Sequence, residues 1–509
     1  MYALIKSLSH RGLETFSVDV EADFSKGMPS FDIVGLGDAA IRESKDRIRS
    51  AFRNCGYTFP VARIVINLAP ASMPKTGSMF DLPIFMALMA ASEQIPMISE
   101  KSLFIGELSM SGRLNPVRGV LSKVIFAREH GFDSIFIPYK NAVQASAIGG
   151  INVYPAVTVS EIIDHLSDGP KIKPLAKCEF DDIAEETFSL DFCDVKGQES
   201  AKRAIEISAA GGHNLMMIGP PGSGKSMLAK RIPSILPQLT FEESLEVTGI
   251  YSICDSFSPD IKMRKIRPFR SPHHNASPAS LIGGGANPNP GEISLSHHGV
   301  LFLDEIAEFP SHILESLRQP IEDKCVSLSR VSYRVTFPCN FQLIAAMNPC
   351  KCGFFGDSTH KCTCSESSVE RYLSKISGPI LDRFDLHVEV SAVKFSDLSG
   401  NSVSEDSESI RERVLAARNI QTERFAGTGI SCNSDMPPNM IKEFCEMDDG
   451  AMKVLEKSFK AYSFSARTYD KVRKVARTIA DLDNSEIILQ NHLTEAIQYR
   501  LLERKYWKK

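Results

Sequence analysis

The chain lacks several features that would mark a simpler protein. Of 509 residues only one is tryptophan, and neither sign of charge prevails: 58 Lys and Arg stand against 62 Asp and Glu, a formal net charge of −4. So even a balance gives no whole-chain attraction to nucleic acid or to an anionic membrane, and it argues against a simple basic DNA-coating protein. No long hydrophobic run occurs. The longest, LPIFMALMAA at 82–91, is too short to span a bilayer, and the opening MYALIKSLSHRGLETF has no uninterrupted apolar core of a signal peptide. A cytoplasmic protein with no membrane partner is expected. Twelve cysteines are few for a disulfide scaffold of this length. Four of them crowd into CKCGFFGDSTHKCTC, which in a reducing compartment points to a metal or to plain thiols.

Apolar residues make up 43% and charged ones 24%, ample for buried cores, and at roughly 100–200 residues per domain the length allows about three domains. Residues 1–168 alternate β-rich runs (ARIVINLA, SIFIPY, INVYPAVTV) with helical patterns (DAAIRESKDRIRSAF, LPIFMALMAASEQ, VLSKVIFAREHGF), the rhythm of an α/β or α+β domain. Residues 169–190, with prolines and a charge switch but no clean period, read as a linker. From 191 to 395 the runs HNLMMIG, GVLFLDE, FQLIAAMN and FDLHVEV predict a parallel sheet wound with helices. Residues 396–509 carry helical periodicity and almost no strand signal, and are expected to form a helical lid.

GPPGSGKS at 219–226 fits G-x-x-x-x-G-K-[ST] and lies between the apolar run HNLMMI and the helical KSMLAKRI, as a phosphate-binding loop requires. Gly219, Gly222 and Gly224 let the loop through Pro220, Pro221 and Ser223 curl, so that backbone N–H groups face phosphate oxygens at a helix N-terminus. Lys225 is then placed to reach the β/γ-phosphates and Ser226 to ligate Mg²⁺. GVLFLDE ends in Asp304, to hold Mg²⁺, and Glu305, to polarise the attacking water. FQLIAAMNP ends in Asn348, whose amide can orient that water.

This motif order resembles the AAA+ ATPases, with Asn348 as sensor 1. The resemblance implies a ring, usually a hexamer, in which a neighbouring subunit completes each ATP site. It assigns Arg383, in SGPILDRFDLHVEV, as arginine finger and Arg467, in SARTYDKVRKVARTIADL, as sensor 2; a structural ion pair is the alternative for each. Roughly 80 residues separate Lys225 from Asp304, more than one helix between neighbouring strands needs, so an insertion is implied. The blocks RPFRSPHHNASPASLIGGGANPNPGEISLSHHG, LDEIAEFPSHILESLRQPIED and AAMNPCKCG closely resemble magnesium-chelatase-like ATPases of the ComM/YifB family. MPKTGSMFDLPIFMALMA and FIGELSMSGRLNPVRGVLSKVIFAREHGFDSIFIP resemble the Lon protease domain, also part of that family's architecture. Lys123 falls at the Lon lysine position, but the serine position is Met79, whose thioether cannot attack a carbonyl; Ser78 is one residue out of register. The N-terminal domain is therefore expected to be structural or DNA-contacting.

Cys350, Cys352, Cys362 and Cys364 form two CxC pairs that can supply four thiolates to Zn²⁺, or stand as reduced thiols; CxC is tighter than the usual structural spacing. No metal is assigned to His273, His274, His297 or His298. Two DNA-contacting regions are expected: a cationic strip of Lys262, Arg264, Lys265, Arg267 and Arg270, and a hairpin near 325–341 carrying Arg330, Tyr333 and Arg334, where the relatives have a pre-sensor hairpin. The resemblance implies a hexameric, ATP- and Mg²⁺-dependent DNA helicase that acts on single-stranded and branched DNA and promotes branch migration during natural transformation. Rival readings are a chelatase-like motor serving porphyrin metallation, which lacks support from any D-x-S-x-S signature; a Lon-type protease, disfavoured by Met79; and a non-catalytic assembly module, disfavoured by the complete phosphate loop and acidic strand.

Overall fold

The computed structural model describes residues 1–182, 188–254, 263–285, 288–330, 333–357, 360–392, 404–462 and 464–507. Its N-terminal part is a seven-stranded mixed sheet in the order Ser30–Val34, Arg63–Ala69, Glu14–Ser25, Tyr2–Arg11, Ser102–Phe104, Ser134–Pro138, Asn152–Ala156. Tyr2–Arg11 and Glu14–Ser25 form a long antiparallel hairpin. Alternation of Ala3 and Ile5, then Val18, Val20 and Ala22, sends one face into the core. Helix Asp81–Ala91 has no polar stripe, and all eleven of its residues are buried.

The core sheet has five strands in the order Phe269–Arg270, Val300–Leu303, Gln342–Met347, Leu215–Ile218, Leu386–Glu389, each parallel to its neighbours. Both faces are covered, so three of these strands read as short continuous apolar runs rather than alternating ones. The long interval before Val300 holds helix Phe241–Ser252, opened by a Thr240/Glu243 capping box, the edge strand and a small excursion: helix Pro278–Ile282, a ribbon pairing Gly283–Gly284 with Asn289–Pro290, and helix Glu292–Leu295. Strands Cys325–Arg330 and Tyr333–Pro338 form an antiparallel hairpin just before Gln342. The root of this hairpin meets the N-terminal sheet. Val335 and Phe337 cluster with Ile253 and Leu13, and at Gly12 (φ +61°) a Cβ would lie 2.2 Å from Val335 Cγ1.

Helices Ser407–Arg424, Pro438–Phe444, Asp449–Tyr462, Ala466–Leu482 and Gln490–Tyr506 follow. Their apolar faces, including Val414, Val475, Ile479 and Leu493, share one hydrophobic cluster with Leu215, Phe302, Ile344 and Val388 of the sheet. Arg418 and Gln421 also donate to the C-terminal carbonyls of core helix Glu199–Gly211, at Ala209 and Ala210. Inside the helical part, Asp481 is 2% exposed and accepts from Arg424 (2.9 Å), Arg477 (3.0 Å) and Asn433 (2.7 Å). Removing it strands the buried Arg477 guanidinium and the partly buried one of Arg424, so Asp481→Ala is expected to cost about 3–5 kcal/mol. Urea denaturation of the full chain checks this; a loss below about 1 kcal/mol would contradict the central place of this knot.

Candidate active site

The C-terminal ends of the parallel strands carry the chemistry. Ile218 leads into the glycine loop, in which Gly222 (φ +74°) and Gly224 (φ +91°) adopt the left-handed backbone that favours glycine. A Cβ at Gly219 would lie 2.1 Å from the carbonyl oxygen of Val390, so close approach demands glycine there too. Lys225 opens helix Lys225–Ala229, and its Nζ donates to the carbonyls of Gly219 and Pro220 (both 2.8 Å) and to Asn348 Oδ1 (3.2 Å). Ser226 Oγ donates to Asp304 Oδ2 at 2.6 Å. Lys225, Ser226, Asp304 and Asn348 are thus brought together from three adjacent strands. Ser226 Oγ and the Asp304 carboxylate, side by side, fit a Mg²⁺ ion, and the glycine loop fits a triphosphate. Glu305 is exposed and held at φ 49°, ψ 49°, an uncommon conformation for a side-chain-bearing residue, and its N–H donates to Asp304 Oδ1 at 3.0 Å. His274 Nδ1 lies 3.8 Å from its Oε2, a neighbour that sequence spacing does not reveal.

Arg383 and Arg467 lie elsewhere. Both line a cleft of about 750 Å³ between the sheet and the C-terminal helices, together with Asn214, Gly299 and Gln342. Those three residues stand at the N-terminal ends of their strands, opposite the glycine loop, and a four-residue strand spans about 13 Å. Arg383 is nearly buried and paired with Glu322, while Arg467 is exposed. Lys471, one helical turn after Arg467, donates to the carbonyls of Asp382 (2.5 Å) and Phe384 (3.0 Å) and pairs with Asp385 (2.9 Å). It brackets Arg383 from the helical part, and its i, i+4 relation to Arg467 is the sequence signal that could have found it.

The four cysteines converge. Sγ–Sγ separations are 3.3 Å (Cys350–Cys352), 3.7 Å (Cys350–Cys362) and 3.6 Å (Cys352–Cys362), and all four sulfurs, with Cys364, lie within 4.8 Å of one another. A tetrahedral ZnS₄ centre with bonds of about 2.3 Å has S–S edges of about 3.8 Å, so the donor set fits zinc. The backbone N–H of Phe354 and then that of Thr363 bring the Cys352 thiol down to about 5, while Cys350, Cys362 and Cys364 are raised, so without a metal the negative charge of the cluster settles on Cys352. The histidine pair differs. His297 Nδ1 accepts from the Asn340 N–H (2.9 Å), so its Nε2 carries the proton and donates to Glu246 (2.8 Å), leaving no lone pair for a metal. His298 Nε2 shares that carboxylate oxygen at 2.9 Å.

The expected cationic strip is largely consumed by internal contacts. Arg267 pairs with Glu243 (2.8 Å) and Arg270 with Glu292 (2.6 Å); Lys265 is buried and donates to the Asp181 carbonyl (3.0 Å). Arg264 stacks on Tyr251 with its guanidinium carbon 4.2 Å from the ring centre. Counting basic residues in sequence missed these partners because the acids lie 22–24 positions away. Lys262 lies outside the described residues, as do the side chains of Arg330 and Tyr333; Arg334 is exposed on the hairpin. In the N-terminal part, Ser78 donates to Glu107, whereas buried Lys123 meets His10 Nδ1 (2.9 Å) and the carbonyls of Arg118 (2.8 Å) and Gly119 (3.2 Å). Burial lowers Lys123 to about 7. Met79 is buried in the apolar core.

Sheet order and glycine-loop geometry define a P-loop ATPase domain of the AAA+ type, followed by a helical region. Residues 191–398 match the family described as magnesium chelatase, subunit ChlI; residues 20–141 match subunit ChlI of Mg-chelatase, and 404–500 its C-terminal region. Competence protein ComM of Haemophilus influenzae is 40% identical over 511 residues, covering 99% of this chain and 98% of that protein. YifB of Escherichia coli is 41% identical over 505 residues, 99% of this chain and 97% of that one. A shorter similarity, 27% over 156 residues, joins 28% of this chain to 20% of Lon protease of Mycolicibacterium smegmatis. The chain belongs to the magnesium-chelatase-like ComM/YifB family. Among the described residues no helix is long and apolar enough to cross a membrane.

Burial lowers Lys225 to about 8, although Asp304 and Glu305 oppose the shift. Below that pH the ammonium is ready for phosphate; above it, binding must first take up a proton. Nucleotide affinity is therefore expected to fall as pH rises through about 8, by up to about tenfold per pH unit. Titration calorimetry with ATP at neutral and alkaline pH checks the sign; a constant Kd would contradict it.

Proposed function

We propose that the chain is an ATP- and Mg²⁺-dependent DNA motor, assembled as a homo-hexameric ring in the cytoplasm, that promotes branch migration of single-stranded and branched recombination intermediates during natural transformation. The carrying observation is the placement of Arg383 and Arg467 at the edge of the sheet opposite the glycine loop. Neither serves its own subunit's nucleotide across that distance. Ring contact presents both to a neighbour's phosphates, with Arg383 as finger and Arg467 as sensor. Within each site Lys225 and the loop N–H groups hold the β/γ-phosphates, Ser226 and Asp304 hold the Mg²⁺ that neutralises charge developing on the transferred group, and Glu305 and Asn348 orient the water. The competence name of the Haemophilus relative supports the DNA substrate and pathway. Among the described basic residues of the two expected regions, Arg334 is exposed on the hairpin, whereas Lys265, Arg267 and Arg270 are engaged internally and Arg264 stacks on Tyr251. Lys123, surrounded by His10 and backbone carbonyls, supports a structural N-terminal domain and no peptidase. The four-thiolate cluster holds one Zn²⁺.

ATP hydrolysis stimulated by single-stranded DNA, with migration of a forked junction, tests the reading. Both activities are expected in the native protein and neither in Lys225→Ala, while Arg383→Ala keeps ATP binding within about twofold and loses hydrolysis by roughly 10³-fold or more. ATP turnover indifferent to DNA, with no DNA binding, would overturn the DNA motor and leave the chelatase-like remodelling reading.

A further inference from the structure

The cysteine cluster is physically joined to the nucleotide loop. Cys350 stands two residues beyond Asn348 and is fully buried among Met216, Ile218 and Met347, the apolar backing of the glycine-loop and sensor strands. From there the chain turns over the glycine loop itself. Gly353 has φ +89°, and a Cβ at this position would lie 2.4 Å from Pro221 Cδ and 2.7 Å from Pro221 Cγ. The bare backbone of Gly353 therefore rests on the Pro221 ring, and its N–H donates to the Cys350 carbonyl at 3.0 Å. Farther along, a Cβ at Gly356 would touch Lys505 Cε at 3.7 Å, and Phe355 faces Tyr506 with ring centres 6.4 Å apart. Lys505 in turn pairs with Glu389 (2.8 Å) at the end of the strand beside the glycine-loop strand. The loop carrying the thiolates thus spans from Pro221 to the last helix of the chain.

We infer that the metal bound by Cys350, Cys352, Cys362 and Cys364 sets the affinity of the nucleotide site, by fixing the backbone of Gly353 against Pro221. This rests on the zinc reading above and assigns the metal a task in ATP binding beyond local stability. The Cys350–Cys364 stretch is fifteen residues long, and its described aromatic Phe355 packs against the ATPase core rather than on a centre of its own. Four metal bonds supply the rigidity that lets one glycine press on the phosphate loop. Without them the contact on Pro221 relaxes, and the loop N–H groups that face phosphate lose their fixed geometry.

Two measurements on the full-length protein test this: zinc per chain by atomic emission, and Kd for a fluorescent ATP analogue. Gly353→Ala leaves every thiol in place, so zinc stays at one per chain while nucleotide binding weakens roughly tenfold through the clash with Pro221. Stripping zinc from the native protein with a chelator weakens binding by a similar factor while the circular dichroism spectrum stays that of the folded chain, and adding zinc back restores binding. One zinc per chain with nucleotide Kd unchanged by both treatments overturns the coupling and leaves the zinc site standing. Fewer than half a zinc per chain, even after zinc is supplied, overturns both. Weakening by Gly353→Ala alone, with no effect of zinc removal, overturns the metal's part in it.

Discussion

Parallel pairing of five strands is the constraint on which the rest depends. Because Leu215–Ile218, Val300–Leu303 and Gln342–Met347 run in the same direction in adjacent register, their C-terminal ends deliver the glycine loop, Asp304 and Asn348 to one place. A parallel sheet needs a crossover between strands and cover on both faces. Here the covering includes the C-terminal helices, whose apolar residues merge with the strands in a single cluster. Stability of the helical part and placement of the catalytic groups are therefore one packing problem.

The same geometry divides the nucleotide machinery between two edges. Lys225, Ser226, Asp304 and Asn348 sit at one end of the strands, and Arg383 and Arg467 at the other. Lys471 ties the two halves of the second edge, because its ammonium caps the carbonyls on either side of Arg383 from the helix that carries Arg467. A shift of that helix moves both arginines together. The hairpin with Arg334 is likewise braced, by Gly12 and Leu13 of the N-terminal sheet against Val335 and Phe337. That contact gives the N-terminal domain a mechanical part in holding the hairpin.

Much of this was legible in the residues. The glycine loop between strand and helix, the acidic strand and Asn348 are local patterns whose spacing reflects the backbone directly, and the sheet confirms their neighbourhood. For the four thiols the two CxC pairs left a metal site and plain thiols both open, and the fold brings the sulfurs together. Other features depend on distant partners. The basic strip looked free because Glu243 and Glu292 are remote in sequence, yet the fold turns Arg267 and Arg270 onto them. The N-terminal hairpin was missed, although Tyr2–Ser7 alternates less and more buried positions, because the stretch mixes Ser, Lys and His with its apolar residues. Contact of Gly353 with Pro221 leaves no pattern in sequence beyond a glycine.

The central claim is that each nucleotide site is completed by the adjoining subunit. Mixing Lys225→Ala chains with Arg383→Ala chains tests it most directly, because neither variant alone contains a complete site and mixed rings contain interfaces with both groups intact. The account predicts two inactive proteins whose mixture regains ATP hydrolysis. No recovery in demonstrably mixed rings, or full turnover by Arg383→Ala alone, would contradict it.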